Sequence, residues 1–183
     1  MKKVIILAIL FSPLSLFAQD LKKEVDAPKT KMDVLASKTG IITKFTDSNL
    51  PGLKTTYGGM AETRIRKINS GSSNLYFYQI VNKGKYSNST ASIEYADLLE
   101  VIKALKTLKL EADKDIASNP DYLENRFITI DGFEVGYYVS KGKSNWYVKL
   151  EKYGSDNTIF VNDSQALETA FNEAKAKMDQ LKS

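Results

Sequence analysis

The spacing of hydrophobic residues changes along the chain, and the first spacing is typical of β-strands. Between residues 41 and 95 the apolar positions come in short runs rich in β-branched and aromatic side chains. Turn-forming residues, including those at 47–52, separate these runs. The pattern predicts four strands, at residues 41–45, 62–68, 75–81 and 90–95.

A helical spacing follows. Leu98, Ile102 and Leu105 recur at i, i+4 and i+7, with charged residues on the opposite side. This pattern predicts an amphipathic helix over residues 96–113. Asn119-Pro120 then ends the helical segment, because the residue before a proline is disfavoured in the helical conformation.

The second half of the chain repeats this order. Strands are predicted at residues 126–130, 133–139, 145–153 and 158–161, and Asp131-Gly132 predicts a two-residue type I′ hairpin between the first two. Asn162-Asp163-Ser164 supplies helix-capping side chains for a final helix. The apolar stripe of that helix consists of Leu167, Phe171, Ala174, Met178 and Leu181.

The two halves can be aligned with each other. Asn74 falls on Asn145 at an offset of 71, and Leu98 falls on Leu167 at an offset of 69. We therefore predict an α+β fold of two tandem four-stranded antiparallel units, each followed by one amphipathic helix. The first unit covers residues 36–118 and the second covers residues 119–183. A single unit would leave apolar surface uncovered, so we expect the units to pack as a pseudo-symmetric pair.

The first 18 residues have the features of a secretory signal peptide: Lys2 and Lys3, a short apolar run and a final Ala18. Residues 19–35 are charged and contain Pro28, which predicts a flexible leader. The chain has no cysteine, so a lipoprotein anchor on a cysteine after the signal is excluded. We expect an exported protein, periplasmic or secreted, with no membrane span after signal cleavage.

Charge argues against a nucleic-acid partner. The chain has 26 basic and 22 acidic residues. Loss of residues 1–18 leaves 24 basic residues and a net charge of +2. Proteins that follow a phosphate backbone concentrate far more positive charge than this.

The chain also has no histidine. Together with the absence of cysteine, this excludes thiol nucleophiles, Ser-His-Asp triads and the usual zinc sites, and we expect no cofactor and no metal. Carboxylate, Ser-Lys and tyrosine chemistries remain possible. The match of residues 140–143 to Ser-x-x-Lys lies in a predicted turn, which is the wrong context for a penicillin-recognising enzyme.

Aromatic residues give the remaining candidates for a binding site. If Trp146, Val148 and Leu150 face the core, Tyr147 and Lys149 face outward on the same strand. Outward tyrosines beside cations can stack on a sugar, a peptide or an aromatic ligand. Half-burial of these tyrosines under the other unit is the alternative interpretation. The candidate ligand-binding residues are Tyr76, Tyr78, Tyr138, Tyr147, Arg64 and Arg66.

Three segments resemble small exported proteins of gut Bacteroidota: DYLEN at 121–125, GFEVGYYVSKG at 132–142 and YGSDNTIF at 153–160. The resemblance covers most of the chain after the signal peptide. It implies an exported protein of such a bacterium and no particular activity. The doubled strand and helix order is also similar in outline to the Whirly and PUR folds, a likeness of architecture that does not fix function.

These observations lead to three hypotheses. The first is an exported, non-enzymatic module that binds a peptide, a glycan or a partner protein through an aromatic-lined sheet face. The second is a structural or envelope-associated protein with no small-molecule ligand. The third is an enzyme restricted to carboxylate or tyrosine chemistry.

Overall fold

The computed structural model describes residues 30–84, 87–154 and 156–183. The predicted signal peptide and most of the predicted leader lie outside these residues. The elements in chain order are α1 (Lys31–Ala36), β1 (Thr43–Lys54), β2 (Met60–Ser70), β3 (Ser73–Lys83), β4 (Asn88–Glu94), α2 (Tyr95–Ala117), β5 (Leu123–Ile128), β6 (Glu134–Ser140), β7 (Lys143–Lys149), β8 (Thr158–Val161) and α3 (Ser164–Lys182).

The strands form two antiparallel sheets, each in simple sequential order. The first sheet is β1-β2-β3-β4 and the second is β5-β6-β7-β8. One long helix follows each sheet, α2 after the first and α3 after the second. The predicted fold class, two tandem four-stranded units each followed by a helix, is confirmed.

The two long helices exchange sheets. Helix α2 lies mainly against β5 and β6 of the second sheet, with fewer contacts to β3 and β4, and α3 lies mainly against β1 and β2 of the first. The two helices also pack against each other. Phe171 of α3 shows the result. Its ring makes edge-to-face contacts with Tyr78 of the first sheet and with Phe133 of the second half, and both centroid distances are 6.2 Å. The two units therefore share one hydrophobic core.

Strand β1 continues through a segment predicted as a turn. Residues 47–52 belong to β1, and a bulge between Leu50 and Leu53 accommodates Pro51 and Gly52. Proline is tolerated here because β1 is an edge strand, and a bulge leaves one residue unpaired. The chain turns later, where the amide of Thr55 donates to the carbonyl oxygen of Gly59.

The loop between β5 and β6 is longer than the predicted two-residue hairpin. Ile128 pairs with Glu134, so five residues connect the strands. The amide of Thr129 donates to the carbonyl oxygen of Phe133 at 2.9 Å, and Gly132 has a φ of 87°. Phe133 is buried, which draws the loop toward the core, while Ile130 at its tip is 91% exposed.

Helix α1 lies at the end of the segment predicted to be a flexible leader. A capping box begins it: the amide of Asp33 donates to Thr30 Oγ1, and the amide of Thr30 donates to Asp33 Oδ2. The Thr-x-x-Asp spacing carries this signal in the sequence. No residue of α1 is fully buried, and hydrogen bonds of Lys31 connect this helix to the rest of the protein.

The repeat has a different offset from the predicted one. Ser70 pairs with Ser73 across the turn between β2 and β3, and Ser140 pairs with Lys143 across the turn between β6 and β7. The central hairpins therefore correspond at an offset of 70, whereas the two asparagines suggested 71. A slip of one residue moves every side chain of a strand to the opposite face.

Candidate functional site

Tyr76 and Tyr78 face the core, so the prediction that they point outward is wrong. At the offset of 70, Tyr76 corresponds to Trp146, and both lie on the inner face of their sheets. The hydroxyl of Tyr76 donates to the carbonyl oxygen of Leu181 at 2.8 Å. Tyr78 is fully buried and its hydroxyl has no hydrogen-bond partner among the described residues. Neither ring is available to a ligand.

Tyr147 does lie on the outer face of the second sheet, but it is only 5% exposed. Its hydroxyl donates to Glu124 Oε1 at 2.5 Å, two strands away. Gly136 stands opposite Tyr147 on the strand between them, and the missing side chain leaves room for the ring to cross. Burial and the hydrogen bond to Glu124 raise the pKa of Tyr147 above its ordinary value. This tyrosine has a packing role.

Tyr138 is half-buried and is the accessible member of the predicted set of tyrosines. Its ring stacks on Tyr122, with centroids 6.2 Å apart and planes inclined by 22°. Tyr122 is 64% exposed and precedes β5. Residue 122 lies outside the predicted strands, so strand periodicity does not identify Tyr122 as a site residue.

Arg64 and Arg66 lie on the outer face of the first sheet, whereas Tyr76 and Tyr78 lie on its inner face. Arg66 donates from Nε and Nη2 to the two carboxylate oxygens of Asp47, both at 2.7 Å. The six predicted site residues are therefore distributed over three surfaces and do not form one site.

A row of polar side chains crosses the outer face of the first sheet. Arg64 Nε donates to Gln79 Oε1 at 2.8 Å, and Gln79 Nε2 donates to Ser92 Oγ at 2.9 Å. These three residues are direct neighbours on β2, β3 and β4. Gln79 is 2% exposed, and both the oxygen and the nitrogen of its side-chain amide take part in a hydrogen bond. The row ends at a cavity.

This cavity has a volume of about 530 Å³ and lies between the first sheet and two loops of the second. Helix α1 forms a further wall. We call it the junction cavity, and its lining residues are Thr30, Met32, Asp33, Gln79, Thr90, Ser92, Ile130, Asp131, Leu150, Glu151, Lys152 and Tyr153.

The loop after β7 is one wall of the junction cavity. The sequence predicted strand up to residue 153, but β7 ends at Lys149. The side-chain amide of Asn157 donates to the carbonyl oxygens of Glu151 at 2.9 Å and Tyr153 at 3.3 Å. The amide of Thr90 on β4 donates to Glu151 Oε1 at 2.6 Å. These bonds fix the loop against the first sheet.

The loop between β5 and β6 supplies Asp131. Asp131 Oδ2 accepts a hydrogen bond from the amide of Lys31 at 3.2 Å. Burial raises the pKa of Asp131 above its ordinary value, although the Lys31 amide opposes the shift. A partly buried carboxylate at the mouth of a cavity is a common feature of binding and catalytic sites.

Lys31 ties α1 to the rest of the protein. Its ammonium group donates to Glu94 Oε2 and to Asp97 Oδ2, both at 2.8 Å. Burial lowers the pKa of Lys31, but the bonds to Asp97 and Glu94 outweigh it and raise the pKa above its ordinary value. Thr30, Met32 and Asp33 are thereby placed on the wall of the junction cavity.

Comparison with protein-family models, with curated proteins and with solved structures gives no match for this chain. The resemblance to exported proteins of gut Bacteroidota stays a prediction. Among the described residues, no cluster of acidic side chains has the arrangement of a metal site. None of the helices in this part of the chain has the length and apolar character of a membrane span.

Proposed function

We propose that the chain is an exported, non-enzymatic binding module and that its ligand binds in the junction cavity. The observation that supports this proposal is the position of the cavity between the two halves of the molecule. Three separate segments and the first sheet converge on it. Pockets of small-molecule sites typically have this size, roughly 300–1,000 Å³, and this mixture of apolar and polar lining.

The site differs from the sheet face expected from the sequence. Tyr76, Tyr78 and Tyr147 are buried and cannot stack on a ligand. The volume of the cavity suits a small molecule, or a single residue or sugar unit of a longer peptide or glycan. The aromatic side chain available to stack on a ligand is instead Tyr153, which is 59% exposed on the cavity wall.

Binding is favoured over catalysis by the way the carboxylates are held. Asp131 and Glu151 each accept a main-chain amide, which fixes their orientation. The chain has no histidine and no cysteine to serve as a general base or nucleophile beside them.

A structural or envelope-associated role is the second candidate, and β1 supports it. This 12-residue strand is at the edge of the first sheet. Beside it Ile42 is 93% exposed, and Phe45 on the strand is 46% exposed. Such edges can pair with another chain. Light scattering of the chain from residue 19 onward, with and without Phe45→Lys, tests this role: concentration-dependent assembly that the substitution abolishes would support it.

The junction cavity is tested by a fragment screen with amide chemical-shift mapping on the chain from residue 19 onward. Thr90→Trp fills the cavity from a side chain that makes no side-chain hydrogen bond, and the Thr90 amide can still bind Glu151. Thr46→Trp places the same bulk on an exposed position of β1. We expect fragments that shift cavity residues, and we expect Thr90→Trp alone to abolish these shifts. Fragments that bind both variants equally would place the site elsewhere.

A further inference from the structure

We infer that the junction cavity takes a ligand with a primary ammonium or guanidinium group attached to an apolar body. This inference rests on the proposed function and specifies the ligand class. It depends on three features of the lining: the balance of charge, the free carboxylate oxygens and the aromatic and apolar wall.

The charge balance of the lining is negative. Three carboxylates, Asp33, Asp131 and Glu151, face a single cation, Lys152. Lys152 is exposed at the rim, where its ammonium nitrogen lies 5.5 Å from the ring centroid of Tyr153. A ligand anion would therefore meet an excess of like charge, which disfavours binding.

Each of these carboxylates retains an oxygen for a ligand. Asp33 and Asp131 use Oδ2 for the main-chain amides of Thr30 and Lys31, and Glu151 uses Oε1 for Thr90. Asp33 Oδ1, Asp131 Oδ1 and Glu151 Oε2 accept no hydrogen bond within the described residues. An ammonium group has three donors and no acceptor, so it matches such a set. The hydroxyl group of Thr90 on the same lining offers a further acceptor.

The remaining lining suits the rest of the ligand. Met32, Ile130, Leu150 and the ring of Tyr153 provide apolar contact on several sides. The face of a tyrosine ring attracts cations, and Lys152 already shows this over Tyr153. The Tyr153 ring therefore adds a second type of contact for a ligand cation on the same lining as the carboxylates. This second source of attraction is independent of the acidic side chains.

A pair of carboxylates near the cavity already binds an ammonium group of the chain itself. Glu94 and Asp97 both accept hydrogen bonds from the Lys31 side chain at 2.8 Å. These two carboxylates are thus occupied, whereas those on the cavity lining are not. Because Glu94 and Asp97 are bound to Lys31, the carboxylates on the cavity lining are the acceptors that a ligand can reach.

The test uses three probes with one ring system and different charge: tryptamine, indole-3-ethanol and indole-3-acetate. Each is titrated into the isotope-labelled chain from residue 19 onward, and amide shifts are followed. We expect tryptamine to shift cavity residues with saturation. Indole-3-ethanol should bind about tenfold or more weakly, since it lacks the charge-assisted hydrogen bonds. Indole-3-acetate should bind more weakly still.

Two substitutions remove charge and keep the hydrogen-bond acceptor, namely Glu151→Gln and Asp131→Asn. We expect each to weaken tryptamine binding about tenfold and to leave indole-3-ethanol binding within about twofold. Glu100→Gln is the matched control, because Glu100 is exposed on α2 outside the cavity. It should change neither affinity.

Equal binding of tryptamine and indole-3-ethanol at the cavity would overturn the ligand class and leave the proposed function standing. Preference for indole-3-acetate, or no shift of cavity residues by tryptamine, would also overturn it. The fragment screen with Thr90→Trp decides the proposed function separately, since that screen includes neutral and anionic fragments.

Discussion

Tyr147 on β7 spans the neighbouring strand and donates its hydroxyl to Glu124 on β5 at 2.5 Å. The ring crosses where Gly136 carries no side chain. A Cβ at Gly136 would approach the carbonyl oxygen of Asn125 to 2.5 Å, so the backbones are already in close contact there. Tyr147, Gly136 and Glu124 therefore form one unit across three strands on the outer face of the second sheet.

The first prediction concerns this hydrogen bond. We expect Tyr147→Phe to lower the free energy of unfolding by about 1 kcal/mol, less than for a buried charged pair because Glu124 is exposed and water can replace the donor. Urea denaturation followed by circular dichroism measures the difference. Tyr138→Phe is the control and should stay within about 0.5 kcal/mol of the parent. Equal losses in both variants would show that the bond to Glu124 contributes nothing specific.

The second prediction compares the two buried tyrosines of the first sheet. Tyr76→Phe removes a hydrogen bond to the carbonyl oxygen of Leu181 and should cost about 1 kcal/mol. Tyr78→Phe removes a hydroxyl that has no partner among the described residues, and should be neutral or stabilise by up to about 1 kcal/mol. Thermal unfolding of both variants gives the comparison. A larger loss in Tyr78→Phe would reveal a buried partner of this hydroxyl, such as water.

The third prediction concerns helix α1. Lys31→Met removes the bonds to Glu94 and Asp97, and α1 has no buried residue to hold it in place. We expect amide hydrogen exchange in residues 31–37 to accelerate about tenfold or more, because local opening needs little free energy where packing is sparse. Global stability should fall by less than about 1 kcal/mol.

Lys38→Met serves as the control for α1, since Lys38 is exposed and follows the helix. Unchanged exchange in Lys31→Met would mean that the contacts of Met32 and Leu35 suffice to hold α1. In that case Lys31 would have no part in shaping the junction cavity.

The fourth prediction is a pH dependence at Asp47. The hydrogen bond from Arg66 lowers the pKa of Asp47 below its ordinary value of 3.8. The folded state then binds this proton more weakly than the unfolded state, so the contribution to stability is present above pH 3.8 and is lost as the pH falls below it. The free energies of unfolding of the parent and of Asp47→Asn should differ at pH 7 and converge toward pH 3. A constant difference over this range would contradict the linkage.

The sequence predicted the fold well where periodicity is strong. The stripe of α3 has Leu167, Phe171, Ala174 and Met178 buried as expected, and Trp146 faces the core. The eight predicted strands are all present, four in each sheet. Long amphipathic patterns report the buried face directly, since the core is the reason for the pattern.

The candidate site was not predictable in the same way, because it depends on register and on loops. The alignment of Asn74 with Asn145 is wrong by one residue. It therefore places Tyr76 on the outer face of the sheet, whereas in the structure Tyr76 lies on the inner face. The junction cavity is formed by segments distant in sequence, such as Lys31 and Asp131, whose contact spans 100 residues. No local pattern encodes such a contact.

The exchange of helices between sheets has a consequence for synthesis. The inner face of β1 and β2, which includes Ile65, packs against α3, and Phe171 of α3 also contacts Tyr78 on β3. Helix α3 consists of residues 164–182. The strands β1 and β2 therefore cannot bury their apolar face until residues 164–182 have emerged from the ribosome. A chain that lacks residues 164–183 would expose an apolar sheet in place of a folded half-molecule.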